Sequence, residues 1–154
     1  MIENEDPVIA NSLWSATANS SPDCPELRAD VEADVAIIGA GFTGLSAALH
    51  LLQLGRRVVV LEAHTPGWGA SGRNGGQVNP GLIENPEHAI AKFGPQMGQR
   101  MIKMSGDAAK LVFDLIAQHE IQCDARPVGW LRAAHNPAGL RNLEQRARQW
   151  EAHG

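Results

Sequence analysis

An α/β fold with a parallel sheet is predicted by three observations. Val35–Ile38 is a continuous apolar run rich in β-branched residues, which suits a strand covered on both faces. Gly39, Gly41 and Gly44 follow it in G-x-G-x-x-G spacing, and Leu45, Ala48, Leu49 and Leu52 then recur at helical spacing. Val58–Leu61 is a second apolar run, with Glu62 at its C-terminal end. Strand, glycine turn, helix and strand make a β-α-β unit of about 30 residues, for which a right-handed crossover is expected. This is a Rossmann-like dinucleotide-binding unit with helices packed around it.

The elements follow in order. Residues 1 to about 30 are polar, with Pro7, Pro22, Pro25 and the cluster Asn19-Ser20-Ser21. They read as an irregular tail, anchored at Ser12-Leu13-Trp14 with Trp14 as an apolar plug. Residues 31–154 read as the N-terminal part of a nucleotide-binding domain. Its first helix runs from Phe42 to about Leu54 and is capped by Gly55. Arg56-Arg57 is a solvated turn before the second strand. Pro66, Gly67, Gly69, Gly72, Gly75, Gly76, Pro80 and Gly81 crowd the next stretch, with Trp68, Ser71, Arg73, Asn74 and Gln77 among them. A flexible linker has no need of those polar groups, so an ordered ligand loop is expected.

A short helix is expected over Asn85–Lys92, and a longer one from Pro95 to about His119. In the longer one Met97, Met101, Met104, Ala108, Leu111 and Leu115, widened by Val112 and Ile116, form one apolar face that reads as core. Pro127–Ala134 reads as a strand. Asn136 and Pro137 are the N-cap and first residue of a last helix, whose apolar face is Leu140, Leu143, Ala147 and Trp150. There is no internal repeat.

Composition bounds the function. The chain has 154 residues, 44% hydrophobic and 19% charged, with a net charge of −4. The absence of a basic run makes nucleic acid and anionic membrane poor partners. Cys24 and Cys123 form neither a C-x-x-C pair nor a disulfide framework, so a reduced, cytoplasmic setting is expected. Glu3, Glu5 and Asp6 stand where a secretory signal needs basic residues, and no run approaches 18 apolar residues.

The glycine motif has a physical use. Free N–H groups and the positive end of the helix dipole face an anion, and absent side chains let a pyrophosphate come close. Glu62 lies 18 residues beyond Gly44. Its carboxylate can accept hydrogen bonds from both hydroxyls of an adenosine ribose and would repel a 2′-phosphate. FAD and NAD share this fingerprint. In a NAD enzyme the second strand usually runs directly into another helix. Here the polar, glycine-rich stretch Gly67–Gln77 follows, able to reach back over the pyrophosphate.

Asp34–Ala48, Val58–Glu62 and Gly67–Gln77 together resemble the N-terminal part of an FAD-dependent amine or amino-acid oxidoreductase of the D-amino-acid oxidase superfamily. Gly-Ala-Ser-Gly-Arg-Asn-Gly-Gly-Gln at 69–77, the Trp14 tail and Gly129-Trp-Leu resemble its γ-glutamylputrescine oxidoreductase-like branch. The resemblance implies that Gly39, Gly41, Phe42, Thr43 and Gly44 cradle the pyrophosphate, and that Glu62 holds the ribose with Ala63 beside it. It implies that Ala70, Ser71, Gly72, Arg73 and Asn74 pass the phosphates and ribityl chain, and that Gly75, Gly76 and Gln77 approach the flavin. Some relatives attach flavin through a histidine in this loop. This chain has Asn74 there, so non-covalent FAD is expected, and His64 is read as a solvated loop residue.

The resemblance further implies hydride transfer from the CH–NH bond of a small amine or amino acid to flavin. Such enzymes are usually well over twice this length, and their C-terminal half completes the sheet and builds the substrate face. The 154 residues alone are therefore expected to be inactive, with open surface for self-association. His50, His88, His119, His135 and His153 are scattered, the chain has no Tyr, and no catalytic residue or metal site is assigned. Two rival readings are a NAD-binding dehydrogenase domain and a non-catalytic remnant acting as an interaction module.

Overall fold

The computed structural model describes residues 8–9 and 11–153; Pro7 and the acidic cluster Glu3, Glu5 and Asp6 lie outside them. The elements are α1 (Leu13–Thr17), β1 (Val35–Ile38), α2 (Phe42–Gln53), β2 (Val58–Leu61), a 3-10 turn (Ala70–Gly72), α3 (Pro86–Phe93), α4 (Pro95–Gln118) and α5 (Pro137–Glu151). They form two compact units, residues 1–76 and 77–154. No helix among the described residues is long and apolar enough to cross a membrane.

The first unit is the α/β unit. β1 and β2 pair in parallel, Val35 opposite Val58 through Ile38 opposite Leu61. Asp34 fixes this register: its carboxylate accepts the Arg57 N–H at 2.8 Å and pairs with the Arg57 guanidinium at 3.2 Å. α2 connects the strands and lies on them through buried Ala48. It closes as expected, with Gly55 at φ +73 and its N–H donated to Leu52 O at 2.9 Å. The expectation of strands covered on both faces is corrected. Exposure alternates along β1, and Ile38 is 89% exposed, because the described sheet has two strands and α2 covers one side. α1 turns on a capping box, in which Ser12 and Ser15 exchange hydrogen bonds between side chain and backbone.

The second unit is helical. α3 and α4 pack on each other at buried Ala89, Gly98 and Ile102. A Cβ on Gly98 would stand 2.6 Å from Ile90 Cα, so the two backbones touch there. Gly98→Val is expected to cost about 2 kcal/mol by overpacking. Gly106→Ala lies on the same helix where an added Cβ meets only Trp150 Cζ3 at 3.8 Å, and it should gain about 1 kcal/mol of helix propensity. Urea midpoints of the two variants check the contrast.

The predicted core stripe of α4 is also corrected. Met101 and Leu115 are half-buried, but Met97, Met104, Leu111 and Val112 are exposed, Met104 by 73%. The contact with α3 turns instead on Gly98 and Ile102. Pro127–Ala134 is no strand. Val128 N–H donates back to Arg126 O at 2.9 Å and Gly129 takes φ +85, so the chain bends where a strand would have to run straight. α5 begins as expected: the Asn136 side chain accepts the Gly139 N–H at 2.7 Å.

Candidate functional site

β1 delivers the chain to Gly39, whose N–H donates to Leu61 O at 2.7 Å and extends the parallel ladder by one step. Gly39 then turns at φ +97, a region that favours glycine. Gly44 is required by space rather than torsion, and at Gly41 an added side chain would push the Ser71 hydroxyl aside. A Cβ on Gly41 would stand 2.8 Å from Ser71 Oγ, and one on Gly44 would run into the carbonyl oxygen of Gly39. The first turn of α2 therefore lies directly on the glycine turn that precedes it.

The glycine-rich loop is tied to this turn at two points. Gly67 N–H donates to Ala40 O at 2.9 Å. Phe42 N–H, one of the first-turn donors that a helix cannot satisfy internally, donates to Ser71 Oγ at 2.9 Å. The Ser71 hydroxyl accepts there, so its own proton remains to be given to an anion. An anion at the N-terminus of α2 would meet that hydroxyl, the remaining first-turn N–H groups and the helix dipole, with no side chain on Gly41 to keep it away.

Glu62 follows β2. Its Oε2 accepts the Ala40 N–H at 2.7 Å and its Oε1 accepts the His64 N–H at 3.1 Å. These two bonds, the Ala40 one foremost, hold its carboxyl below the ordinary value against a smaller opposing effect of burial. The carboxylate is thus ionised and aimed at the glycine turn. A carboxylate has about four acceptor positions; the Ala40 and His64 N–H groups take two, the Ala63 N–H adds a weaker backbone contact, and the capacity left over can accept from a ribose hydroxyl.

The rest of the loop is ordered from within. Asn74 Nδ2 donates to Ser71 O at 2.6 Å, and Gly76 N–H donates to Asn74 Oδ1 at 2.7 Å. Trp14 Nε1 donates to Asn74 O at 2.6 Å, and a Cβ on Gly76 would stand 2.6 Å from the Trp14 ring. Arg73 is turned aside, its Nε donating to Trp68 O at 3.1 Å and its guanidinium 4.7 Å from the Trp68 ring centre. His64, expected to be solvated, is half-buried with its ring 4.2 Å from that of Trp68.

Of the predicted positions, Gly39, Gly41, Phe42, Gly44, Glu62, Ser71 and Gly72 converge. Thr43, Ala63, Ala70 and Gly75 are exposed beside them, and Gln77 begins the second unit. Ala40 was missed. It acts through its backbone alone, and its only signal is its place between two motif glycines. Among the described residues no cluster of acidic, His or Cys side chains could hold a metal ion.

The family model for FAD dependent oxidoreductase matches residues 34–154. The chain belongs to that family. It is 36% identical over 144 residues to gamma-glutamylputrescine oxidoreductase of Escherichia coli (strain K12), covering 94% of this chain and 34% of the relative. Probable oxidoreductase OrdL of Haemophilus influenzae is 39% identical over 113 residues, covering 73% of this chain and 26% of the relative. Its namesake in Rhizobium meliloti is 36% identical over 124 residues, covering 80% and 29%. The chain therefore spans 26–34% of the length of these curated relatives. No solved structure matches it. Membership of the FAD dependent oxidoreductase family makes this an oxidoreductase-family chain, and the glycine turn and the Gly67–Gly76 loop both lie within the matched residues.

Proposed function

We propose that this chain is the non-covalent FAD-binding part of an oxidoreductase acting on the CH–NH bond of a small amine or amino acid. The observation that carries this reading is the double tie of the Gly67–Gly76 loop to the glycine turn, through Gly67 to Ala40 and Ser71 to Phe42. A dinucleotide turn by itself suits NAD as well as FAD. A second polar loop lodged against the helix N-terminus supports the longer cofactor.

In this reading the pyrophosphate lies on the turn Gly39, Gly41, Phe42, Thr43 and Gly44: Gly41, Thr43 and Gly44 offer it backbone N–H groups, Gly39 and Phe42 shape the cradle with their own N–H groups held by Leu61 O and Ser71 Oγ, and the Ser71 hydroxyl donates to a phosphate oxygen. Glu62, with Ala63 beside it, holds the ribose hydroxyls through the acceptor capacity its backbone bonds leave. Ala70, Gly72, Arg73 and Asn74 line the way along the ribityl chain, and Gly75 and Gly76 come near the flavin without side chains to obstruct it. A place for Gln77 near the flavin rests on the resemblance alone. Asn74, unlike a histidine, offers no nucleophile for a covalent link. When bound, FAD supplies the hydride acceptor for the amine-bearing carbon. The name of the Escherichia coli relative, gamma-glutamylputrescine oxidoreductase, supports an amine as the substrate class.

Titration of the purified chain with FAD and, separately, with NAD tests the reading. FAD should bind at least tenfold more tightly, and flavin absorbance should stay with the protein through gel filtration and leave it on acid precipitation. Equal binding of NAD, or no uptake of FAD, overturns it. Flavin that remains on the precipitated chain contradicts the non-covalent link.

A further inference from the structure

The helical unit holds a feature that cofactor binding does not use. A cavity of about 450 Å³ is lined by Glu84, His88, Arg132, His135, Asn142 and Arg146. A second, of about 400 Å³, adjoins it through the shared Arg132, Leu143 and Arg146. Its far wall is apolar, made by Trp130, Ala147 and Trp150. Each is of the size that takes a small ligand.

The charge in this cleft is unbalanced. Two guanidinium groups, Arg132 and Arg146, stand against the single carboxylate of Glu84. Arg146 is 7% exposed and grips the carbonyls of Leu82, Ile83 and Glu84 and the Asn85 side-chain oxygen. All four are neutral oxygens, so its buried charge is hydrogen-bonded but not cancelled. Glu84 is drawn to His88, whose Nδ1 lies 2.6 Å from its carboxylate. Burial first, and then the nearby charge of Arg132, hold the Arg146 pKa below its ordinary value. Arg132 is exposed, so its planar donor fork faces the cleft and solvent with a shape that matches a carboxylate. Each guanidinium also sits by an indole: Arg132 at 5.7 Å from the Trp130 ring centre and Arg146 at 5.9 Å from that of Trp150. Cationic and aromatic surface thus lie one short linker apart.

We propose that the adjoining cavities bind a small monocarboxylate with an aromatic tail, its carboxylate on Arg132 and its tail against Trp130 and Trp150. The excess of guanidinium over carboxylate selects an anion over a neutral or cationic ligand, and the indole walls select the aromatic tail. Arg146 contributes a fixed positive field, its donors being held by carbonyl oxygens. The site is independent of the cofactor reading, since every residue in it belongs to the helical unit.

The test titrates the full 154-residue chain, without FAD, with 3-phenylpropionate, 3-phenylpropionamide and 3-phenylpropylamine, following tryptophan fluorescence and amide chemical shifts. The acid should saturate with a dissociation constant on the order of 1 mM or below, as befits a ligand of about this size. The amide and amine should bind at least tenfold more weakly. Arg132→Gln should weaken the acid roughly tenfold, with Arg132→Lys recovering part of the loss. Trp130→Ala should weaken it several-fold. Equal binding of acid and amide, an unaltered affinity in Arg132→Gln, or no saturation with the acid overturns the proposal. The acid–amide comparison needs no variant, so it decides the matter even where a substitution unfolds the chain.

Discussion

Gly44→Ala is expected to abolish FAD retention and to lower the stability of the α/β unit by about 2–3 kcal/mol. An added methyl would run into the Gly39 carbonyl oxygen and press within 3.3 Å of Ile37 Cγ2. Its neighbours are backbone and a packed strand residue, not the end of a flexible side chain, so relief requires the first turn of α2 to lift off β1. Lifting it withdraws the N–H groups from the place where a pyrophosphate would sit. The gain of about 1 kcal/mol in helix propensity from Gly to Ala is too small to offset this. Urea unfolding and an FAD titration of the variant check both effects. Wild-type FAD affinity in Gly44→Ala would show that the glycine turn is not the phosphate cradle.

Glu62→Gln should act at two levels. It replaces a charged acceptor for the Ala40 and His64 N–H groups with a neutral amide that has one acceptor oxygen, at a cost of about 1–2 kcal/mol in stability. It should also weaken FAD, because the positions left for the ribose hydroxyls fall in number. A pH dependence accompanies this. The folded carboxyl titrates below its unfolded value, which is about 4.3. The stability it contributes is therefore fully present above that unfolded value and is lost as pH falls through the lower, folded one. Glu62→Gln should flatten the wild-type decline in that acidic window while leaving the neutral-pH difference in place. Unfolding midpoints at a series of pH values measure both. An unchanged acid profile would mean that the Glu62–Ala40 bond is absent in solution.

The parts of this molecule that could be read from the chain are those set by short-range rules. Val35–Ile38 and Val58–Leu61 are strands because their runs are apolar and β-branched and are bounded by glycine, Asp34 and Glu62. α2 begins and ends where the glycines place it, and Asn136 caps α5 because its side chain reaches the Gly139 N–H. Long-range facts were harder to read. The Met97–Leu115 stripe reports an apolar face, but periodicity is silent on which neighbour covers it. The neighbour contact was made by Gly98, where the absence of a side chain lets α3 approach. Val128, Trp130 and Leu131 have strand-forming side chains, yet a strand needs a partner edge, and Gly129 bends the chain first.

The cofactor site was legible as a set of residues and not as a set of bonds. Spacing brings Glu62 to the tip of β2, but the grip of its carboxylate on Ala40 is a backbone event that leaves no mark on side-chain chemistry. The resemblance puts Ser71 near the phosphates, while its bond to Phe42 depends on the path of a loop whose turns are set by glycines. Sequence alone makes Trp14 a plug. Its indole N–H on Asn74 O and its ring against Gly76 make it the support that shapes the far end of that loop.

The central claim is that the glycine turn, Glu62 and the Gly67–Gly76 loop form one FAD site, and amide chemical-shift mapping during an FAD titration tests it most directly. The account predicts that the largest shifts fall together on Ala40 through Gly44, on His64 beside Glu62 and on Ser71 through Gly76, saturating with a single affinity. Shifts confined to the glycine turn, with Ser71–Gly76 unmoved at saturation, would contradict it.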